Sequence, residues 1–424
     1  MNFSASQRGF QPALAAGSRI AAGRVCLLLA IALASAEAQT LDRTQARSMV
    51  VSRYGIVATE QPLASQAGAM ILAQGGNAID AAVAANAAVA VVQPMMCGIG
   101  GDLFAIVYEA KSDRLYGLNA SGWAPAGLTL EHLRHKGLNA MPQSGIDAVT
   151  VPGAVAGWDQ LLRRFGRKNL ATVLAPATRL AADGFPVPEL DSGYWAVGER
   201  LLRREPEATR TYLPGGHAPR LGQVFRNPDL AWSYRQIAAR GRKAVYGGAI
   251  GRRIVACSQR LGGTMTLADL EQFSAAWVDP ISTTYRDWTV YELPPNGQGI
   301  AALTMLNLME NFPLAEYGHH SADALHVMIE AKKLAYADLL RYVGDPKFSR
   351  VPVAGILSKA YARRRAALID LWHANPHVAA GTPPGAAGET TYLCAVDRDG
   401  NMVSLIQSNY GAFGSGVVPD GAGF

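Results

Sequence analysis

The stretch Gly388-Glu389-Thr390-Thr391-Tyr392-Leu393-Cys394-Ala395-Val396-Asp397 places a threonine pair at the head of an apolar segment. Residues 392–396 read as a strand, residues 397–401 (Asp-Arg-Asp-Gly-Asn) as a turn, and residues 402–407 as the returning strand, so this region predicts a β-hairpin. A threonine hydroxyl is barely acidic and is a poor nucleophile on its own. If the chain is cleaved before Thr390, the freed α-amine has a pKa near ~7.7–8 and can accept the hydroxyl proton, so one residue supplies nucleophile and base.

Several other short motifs follow one another along the chain. They are residues 75–82 (Gly-Gly-Asn-Ala-Ile-Asp-Ala-Ala), 98–102 (Gly-Ile-Gly-Gly-Asp), 151–155 (Val-Pro-Gly-Ala-Val), 293–299 (Leu-Pro-Pro-Asn-Gly-Gln-Gly) and 413–416 (Phe-Gly-Ser-Gly). With the Thr-Thr hairpin, this order resembles the γ-glutamyltransferase (γ-glutamyl transpeptidase) family of N-terminal-nucleophile hydrolases. The resemblance extends over roughly residues 49–424.

The resemblance implies a precursor that cleaves itself between Glu389 and Thr390, after which Thr390 is the catalytic nucleophile. Thr391 is the alternative nucleophile and ranks below it, because the family is cleaved before the first threonine of the pair. The implied fold is a four-layer αββα sandwich, whereas the residue pattern alone predicts only an α+β protein. No metal and no organic cofactor are implied.

Three neighbouring residues after the hairpin are expected to contact the substrate or the nucleophile. Ser408 stands where the family has a hydroxyl that hydrogen-bonds the nucleophile; read locally, it is equally a serine that ends a hairpin. Family members have an asparagine that contacts the γ-glutamyl group at the position of Tyr410. Here the asparagine is one residue earlier, at Asn409.

The segment from Asn119 to Pro125 (Asn-Ala-Ser-Gly-Trp-Ala-Pro) departs from the family pattern. Members that cleave glutathione resemble Arg-Glu-x-Ala-Pro here, and their arginine binds the α-carboxylate of the substrate. Ser121 stands at that position and cannot form a bidentate, charge-assisted pair. The lost contact is worth about 1.5–3 kcal/mol, or ten- to a hundredfold in affinity. We therefore expect weak discrimination for the γ-glutamyl group, which favours the branch of cephalosporin- and glutaryl-acylase-like amidases.

The first 38 residues read as a signal peptide rather than as part of the fold. Three arginines precede an apolar run at residues 25–33, and Ala36-Glu37-Ala38 is a small-x-small cleavage site. The run is too short for a permanent membrane span, although an uncleaved anchor is the alternative. We expect a secreted or periplasmic protein with no membrane span after removal of this segment.

Composition indicates a globular protein without a nucleic-acid partner, and the family resemblance implies a small-molecule γ-glutamyl or acyl amide substrate. Of the 424 residues, 49% are apolar and 17% are charged, which suits a packed core. Removing the signal takes three arginines and one glutamate from a net charge of +6, leaving +4, too small a charge for a nucleic-acid partner. The expected regions are residues 1–38 (signal), 39–389 (large subunit) and 390–424 (start of the small subunit), with the two fragments remaining associated.

Cysteine and glycine patterns exclude two other kinds of site. Cys97, Cys257 and Cys394 have no metal-type spacing and are expected to be buried free thiols, with a disulfide between two of them left open. No histidine pair has metal-ligand spacing. Residues 98–102 lack the third glycine of a dinucleotide-binding loop, so a tight turn before a strand is the better interpretation.

Only 35 residues follow the expected cleavage site, counting Thr390 itself. Family members have a longer second subunit that holds the backbone donors for the oxyanion and the acidic residues that bind the substrate's amine. We therefore expect the αββα sandwich to be incomplete at its C-terminus. Three readings remain: a γ-glutamyltransferase or glutathione-hydrolase-type amidase, an acylase-type amidase, and an inactive truncated remnant or binding protein.

Overall fold

Most strands of the chain form one antiparallel sheet. The computed structural model describes residues 49–381 and 392–424, and those from Ser52 onward form one compact unit. In these ranges the strands are β1 (Gly55–Ala58), β2 (Leu103–Glu109), β3 (Arg114–Ala120), β4 (Phe185–Pro186), β5 (Val224–Phe225), β6 (Ala276–Val278), β7 (Ile281–Tyr285), β8 (Trp288–Glu292), β9 (Tyr392–Asp397) and β10 (Met402–Ile406).

The helices of the same ranges are α1 (Pro62–Ala73), α2 (Ala78–Val92), α3 (Leu130–His135), α4 (Ala154–Phe165), α5 (Leu170–Asp183), α6 (Glu189–Leu202), α7 (Pro206–Tyr212), α8 (Pro228–Arg240), α9 (Ala249–Arg260), α10 (Leu267–Glu271), α11 (Gly299–Met309), α12 (Leu314–Tyr317), α13 (Ala322–Tyr342), α14 (Val353–Ile356) and α15 (Lys359–Ala366). Within the described part of the chain, none of them is both long and apolar enough to cross a membrane.

The six-stranded sheet has the order β1-β9-β10-β2-β3-β6, and every neighbouring pair is antiparallel. The predicted hairpin is confirmed as β9 and β10, which occupy central positions between β1 and β2. The turn between them contains Gly400 at φ +83°, a backbone conformation that glycine adopts without strain.

One face of this sheet is packed against helices. Alternate residues of each strand, such as Leu393 on β9 and Leu405 on β10, are buried on this face. Helix α2 covers it, and all fifteen residues of α2 are buried. Alanine and valine dominate α2, and alanine's small side chain lets a helix approach a sheet and its neighbouring helix α1 closely.

The other face of the sheet lies across a cavity from a second group of elements. Phe104 of β2 and Ile406 of β10 line one side of this cavity, and residues from Glu292 to Met305 line the other. The hairpin β7–β8 is covered in turn by α11, against which α13 packs. The layer order is therefore helix, sheet, sheet, helix, which confirms the predicted αββα arrangement.

A two-stranded hairpin follows β6. Strands β7 and β8 pair with each other, and Arg286 adopts φ +53° in the tight turn between Tyr285 and Trp288. Helix α11 then begins at Gly299 and continues through the buried residues Ile300 and Ala301.

The motif at residues 75–82 stabilises the end of the sheet remote from the cavity. Asn77 and Asp80 form a reciprocal capping box at the start of α2. The Ala78 N–H donates to the Asp397 carboxylate in the β9–β10 turn at 3.0 Å. This motif therefore fixes the hairpin to α2.

Candidate active site

The strand register gathers the candidate residues at one end of the sheet. Tyr392, the first residue of β9, pairs with Ile406, which pairs in turn with Phe104. Ser408 follows β10 by two residues, and Thr390 precedes β9 by two residues in sequence. Glu389, Thr390 and Thr391 lie outside the described residues.

Period-two alternation places three polar residues on the cavity side of this end. Leu103 and Ala120, the last pair of β2 and β3, face the helices and are buried. Asp102 and Ser121 are one position further out and therefore belong to the opposite face, as does Ser408 beyond β10. All three line the cavity.

The cavity has a volume of about 900 Å³, a size typical of small-molecule sites. Four of the residues expected from the sequence to contact the substrate line it, namely Ser121, Ser408, Asn409 and Tyr410. The structure thus brings these four residues to one site, although Ser121 is separated from the others by almost 300 positions in the chain.

Two hydrogen bonds with Asp102 hold the backbone of Ser408. Its N–H donates to the Asp102 carboxylate at 2.9 Å, and the Asp102 N–H donates to its carbonyl at 3.1 Å. The Ser408 hydroxyl oxygen accepts the Tyr410 N–H at 2.7 Å. Among the described residues the hydroxyl proton has no acceptor, so the side chain is fixed while its donor remains available.

The turn at residues 98–102 allows this close approach. A Cβ atom on Gly101 would lie 2.2 Å from the Ser408 carbonyl oxygen and 2.8 Å from the Asn409 side-chain oxygen. The tight-turn interpretation of this motif is therefore the better one. Only glycine fits, because any side chain would displace Ser408.

Asn409 and Tyr410 differ in what they present to the cavity. The Asn409 N–H donates to the Met96 carbonyl at 3.1 Å, and its side-chain amide donates to the Pro94 carbonyl at 3.4 Å. Tyr410 adopts φ +71°, and 72% of its surface is exposed. Asn409 is thus part of the cavity wall, whereas the Tyr410 ring stands at the opening.

Ser121 belongs to a hydrogen-bond network with two asparagines. The Asn296 side-chain amide donates to the Ser121 hydroxyl at 3.1 Å, and that of Asn119 donates to Asn296 Oδ1 at 2.8 Å. The motif at residues 293–299 therefore supports Ser121, the position where the family resemblance implies an arginine. Sequence reasoning did not single out Asn119 or Asn296, because their contact spans more than 170 residues.

Gln407 is a third residue that sequence reasoning missed. Its side-chain amide donates to the Gly98 carbonyl at 2.7 Å and its oxygen accepts from Asn86 of α2 at 3.0 Å. Trp158 donates to the same Asn86 at 2.7 Å. A fully paired, buried glutamine beside Ser408 fixes the end of β10 against α2. The sequence signal that could have identified Gln407 is a polar residue directly after an apolar strand.

The electrostatics of the cavity are dominated by two carboxyl groups. Burial raises the pKa of Asp102 to about 7, and backbone hydrogen bonds offset part of this effect. Burial also raises the pKa of Glu292. The thiol of Cys97 lines the same cavity, and its pKa is raised by burial first and by the Asp102 charge second.

In the described part of the chain, no group of three or more His, Cys, Asp and Glu side chains is placed to hold a metal ion. Cys97, Cys257 and Cys394 are all free thiols, and the first two are buried. The sequence-based interpretation of free thiols is therefore confirmed.

A four-layer fold, with a central strand directly after a threonine pair and a cavity at that strand's head, defines an N-terminal-nucleophile hydrolase. The sequence profile named Gamma-glutamyltranspeptidase matches residues 64–424. The chain therefore belongs to the γ-glutamyltranspeptidase family, whose members are hydrolase and transferase enzymes.

Individual relatives include both main branches that the sequence suggested. The chain is 39% identical to the "Glutathione hydrolase-like YwrD proenzyme" of Bacillus subtilis (strain 168), covering 88% of this chain and 70% of that protein. It is 37% identical to the "Acylase ACY 1 proenzyme" of Pseudomonas sp. (strain V22), covering 90% and 70%. The crystal structure of cephalosporin acylase from Bacillus halodurans superimposes with a TM-score of 0.81 at 40% identity, covering 92% and 72%. The chain thus spans about 70% of the length of these relatives.

Proposed function

We propose that the protein is an amidase of the glutathione-hydrolase type that acts on γ-glutamyl amides through an acyl-enzyme on Thr390. The freed α-amine of Thr390 accepts the hydroxyl proton while Oγ bonds to the amide carbonyl carbon. The C–N bond then breaks and the amine leaves with that proton. Water, or the amine of an amino acid, attacks the ester, releasing the acid or a new amide and restoring Thr390.

The arrangement of Ser408 is the observation that carries this proposal. Ser408 is buried and clamped by Asp102 and still has a free hydroxyl donor, and it lies at the end of the sheet where β9 begins. Such a donor can hydrogen-bond a nucleophile placed just before β9 and orient it toward the cavity. Ser121, Asn409 and Tyr410 are the proposed substrate contacts, and Glu389–Thr390 is the proposed cleavage site.

Processing and export are part of the same proposal. Residues 1–38 are the proposed signal peptide of a secreted or periplasmic protein, residues 39–389 the large subunit and residues 390–424 the beginning of the small subunit. The name "proenzyme" carried by two relatives supports a precursor that is cleaved. The topology supports continued association, because β9 and β10 are paired with β1 and β2 on both sides.

An acylase-type amidase is the second candidate function. It is favoured by the similarity to the cephalosporin acylase structure. Ser121 does not separate the two candidates, because γ-glutamyl and glutaryl groups carry the same terminal carboxylate and differ only in the α-amine. The two candidates differ in kcat/KM for γ-glutamyl and glutaryl p-nitroanilides. A γ-glutamyl preference beyond about a hundredfold would exclude the acylase reading, since one charge-assisted contact provides no more than that.

Electrophoresis and N-terminal sequencing test the proposed nucleophile. We expect the protein to divide into two fragments, the smaller one beginning at Thr390. Thr390→Ala should abolish this cleavage, whereas Thr391→Ala, the matched control, should leave the cleavage position unchanged. A fragment that begins elsewhere, or cleavage that persists in Thr390→Ala, would refute the assignment.

A further inference from the structure

The cavity has a one-sided distribution of charge. Among the described residues its lining contains the carboxyl groups of Asp102 and Glu292 but no lysine, arginine or histidine. Neither carboxyl group forms an ion pair with another described residue. A cavity that contains only acidic groups repels a carboxylate and attracts a cation, and the effect increases where water is excluded.

Asp102 lies at the same end of the sheet as Ser121, the position where the family resemblance implies an arginine in glutathione-cleaving members. Leu103 pairs with Ala120, and continuing this register by one residue places Asp102 opposite Ser121, with both residues lining the cavity. An arginine at position 121 would present a positive charge here. This chain has a serine there and a carboxylate on the adjacent strand, so the charge at this point of the cavity is reversed.

The Asp102 carboxylate also has capacity for a ligand. Oδ1 accepts the Ser408 N–H at 2.9 Å. Oδ2 receives no hydrogen bond from any other described residue. A carboxylate that is held in place by one oxygen and has the second unoccupied can accept a hydrogen bond from an ammonium group without rearrangement.

We propose that Asp102 is a specificity-determining residue that binds an ammonium group on the acyl part of the substrate, in the place where an arginine would bind a carboxylate. The substrate class is then an amide whose acyl chain carries a primary amine, with Glu292 contributing to the same negative potential. This inference rests on the proposed amidase function and names its substrate class. A γ-glutamyl group satisfies it through its α-amine, whereas a glutaryl group does not.

The environment of the partly buried Asp102 side chain supports a role beyond structure. The raised pKa of about 7 means that the folded protein maintains this carboxyl group in an environment that disfavours its charge. A bound ammonium would compensate that cost. Burial and the nearby Asp102 charge raise the pKa of the Cys97 thiol, so this thiol stays protonated over the same pH range.

The test is a series of three p-nitroanilides that differ only at the end of the acyl chain: 4-aminobutyryl, pentanoyl and glutaryl. The first two are isosteric, with ammonium in place of methyl. We expect kcat/KM for 4-aminobutyryl to exceed that for pentanoyl by about tenfold or more, and the glutaryl compound to be the poorest. The ratio should rise as the pH passes through 7, since only ionised Asp102 attracts the ammonium.

Two variants assign the effect to this position. Asp102→Asn keeps the acceptor for the Ser408 N–H and removes the charge, so the 4-aminobutyryl to pentanoyl ratio should fall toward one. Ser121→Arg should shift the preference to glutaryl and covers the case in which Asp102→Asn does not fold. An unchanged ratio in Asp102→Asn, or a ratio lost only in Glu292→Gln, would overturn the assignment to Asp102.

A binding measurement separates this inference from the proposed function. Calorimetric titration of the protein with 4-aminobutyramide, pentanamide and glutaric acid monoamide requires no turnover. Absence of turnover on all three anilides would refute the amidase function, while tighter binding of 4-aminobutyramide would still support the ammonium site. Binding of glutaric acid monoamide as tight as that of 4-aminobutyramide would refute it, and would point to a cation such as Lys347, which stacks on Trp123 outside the cavity lining.

Discussion

At the scale of single residues, the site depends on side chains that are held by one group and free at another. The Ser408 hydroxyl accepts the Tyr410 N–H and retains its proton for a further partner. Asp102 accepts the Ser408 N–H through one oxygen and leaves the other open. Such half-satisfied groups are expensive in a folded core, and their presence at a cavity is typical of functional positions.

Ser408→Ala removes the donor and keeps the backbone clamp. We expect self-cleavage and amide turnover to fall about ten- to a hundredfold, in proportion to the loss of one hydrogen bond to a reacting group. Ser408→Thr retains the hydroxyl and is the matched control, with rates nearer to wild type. Timed electrophoresis and kcat on a chromogenic amide measure the two effects. Wild-type rates in Ser408→Ala would show that the hydroxyl does not contact the nucleophile.

Asp102 also makes stability depend on pH. Its pKa is about 7 in the folded protein against about 3.9 in an unfolded chain, so the folded state retains a proton between these values. The free energy of unfolding therefore falls as the pH rises from about 4 to 7, by at most about 1.4 kcal/mol per pH unit from this group. Denaturant unfolding at pH 5 and pH 8 measures this fall in the free energy of unfolding, and the fall should be smaller in Asp102→Asn than in wild type. Asp279 is exposed, so Asp279→Asn is the control and should show the wild-type fall. Parallel profiles for Asp102→Asn and wild type would contradict this.

At the scale of elements, a buried polar cluster between α13 and α15 holds the chain at Gly381. Asp338 of α13 pairs with Arg365 of α15 at 3.0 Å and accepts the Tyr361 hydroxyl at 2.9 Å. The same carboxylate accepts the Gly381 N–H at 2.6 Å. Gly381 precedes Thr390 by nine residues, so these two helices anchor the segment that leads to the proposed cleavage site.

Removing Asp338 should destabilise this anchor strongly. Asp338→Ala leaves the buried Arg365 charge without its partner, and we expect a loss of about 3–5 kcal/mol in the free energy of unfolding. Glu310→Gln is the control, because its pair with Lys359 is about one-third exposed and should contribute no more than about 1 kcal/mol. Denaturant unfolding measures both variants. An equal loss of unfolding free energy in the two variants would mean that burial does not increase the contribution of the Asp338–Arg365 pair to stability.

At the scale of the whole molecule, the segment after the proposed cleavage site is part of the sheet's centre. Strands β9 and β10 are flanked by β1 on one side and by β2 on the other. Beyond them, Phe413 packs its ring against Trp195 and Tyr212. Residues 392–424 therefore contribute strands and buried side chains to the core of the fold.

The two fragments should consequently remain together after cleavage. Separation would break the ladders on β1 and β2 and expose the apolar face of β9 and β10, which hydrophobic burial opposes. We expect the cleaved protein and uncleaved Thr390→Ala to elute at the same volume in size-exclusion chromatography. The small fragment should elute alone only after denaturation. Its release in native buffer would show that the paired strands do not hold it.

Local sequence patterns predicted elements of the fold, whereas the proposed chemistry of Thr390 needed the family resemblance. Strand alternation and turn residues identified the β9–β10 hairpin, because these signals act over a few neighbouring residues. The choice of Ser408, Asn409, Tyr410 and Ser121 needed the family resemblance, since each residue is unremarkable in its own local context.

Only the tertiary structure showed which distant residues share the site. Asp102 and Ser121 both line the cavity because β2 and β3 pair in one register, and a shift of one residue would turn such positions toward the helices. Asn296 reaches Ser121 across 175 positions. These contacts depend on how sheet and helices pack as a whole, and that packing is a property of many residues together, which no local stretch encodes.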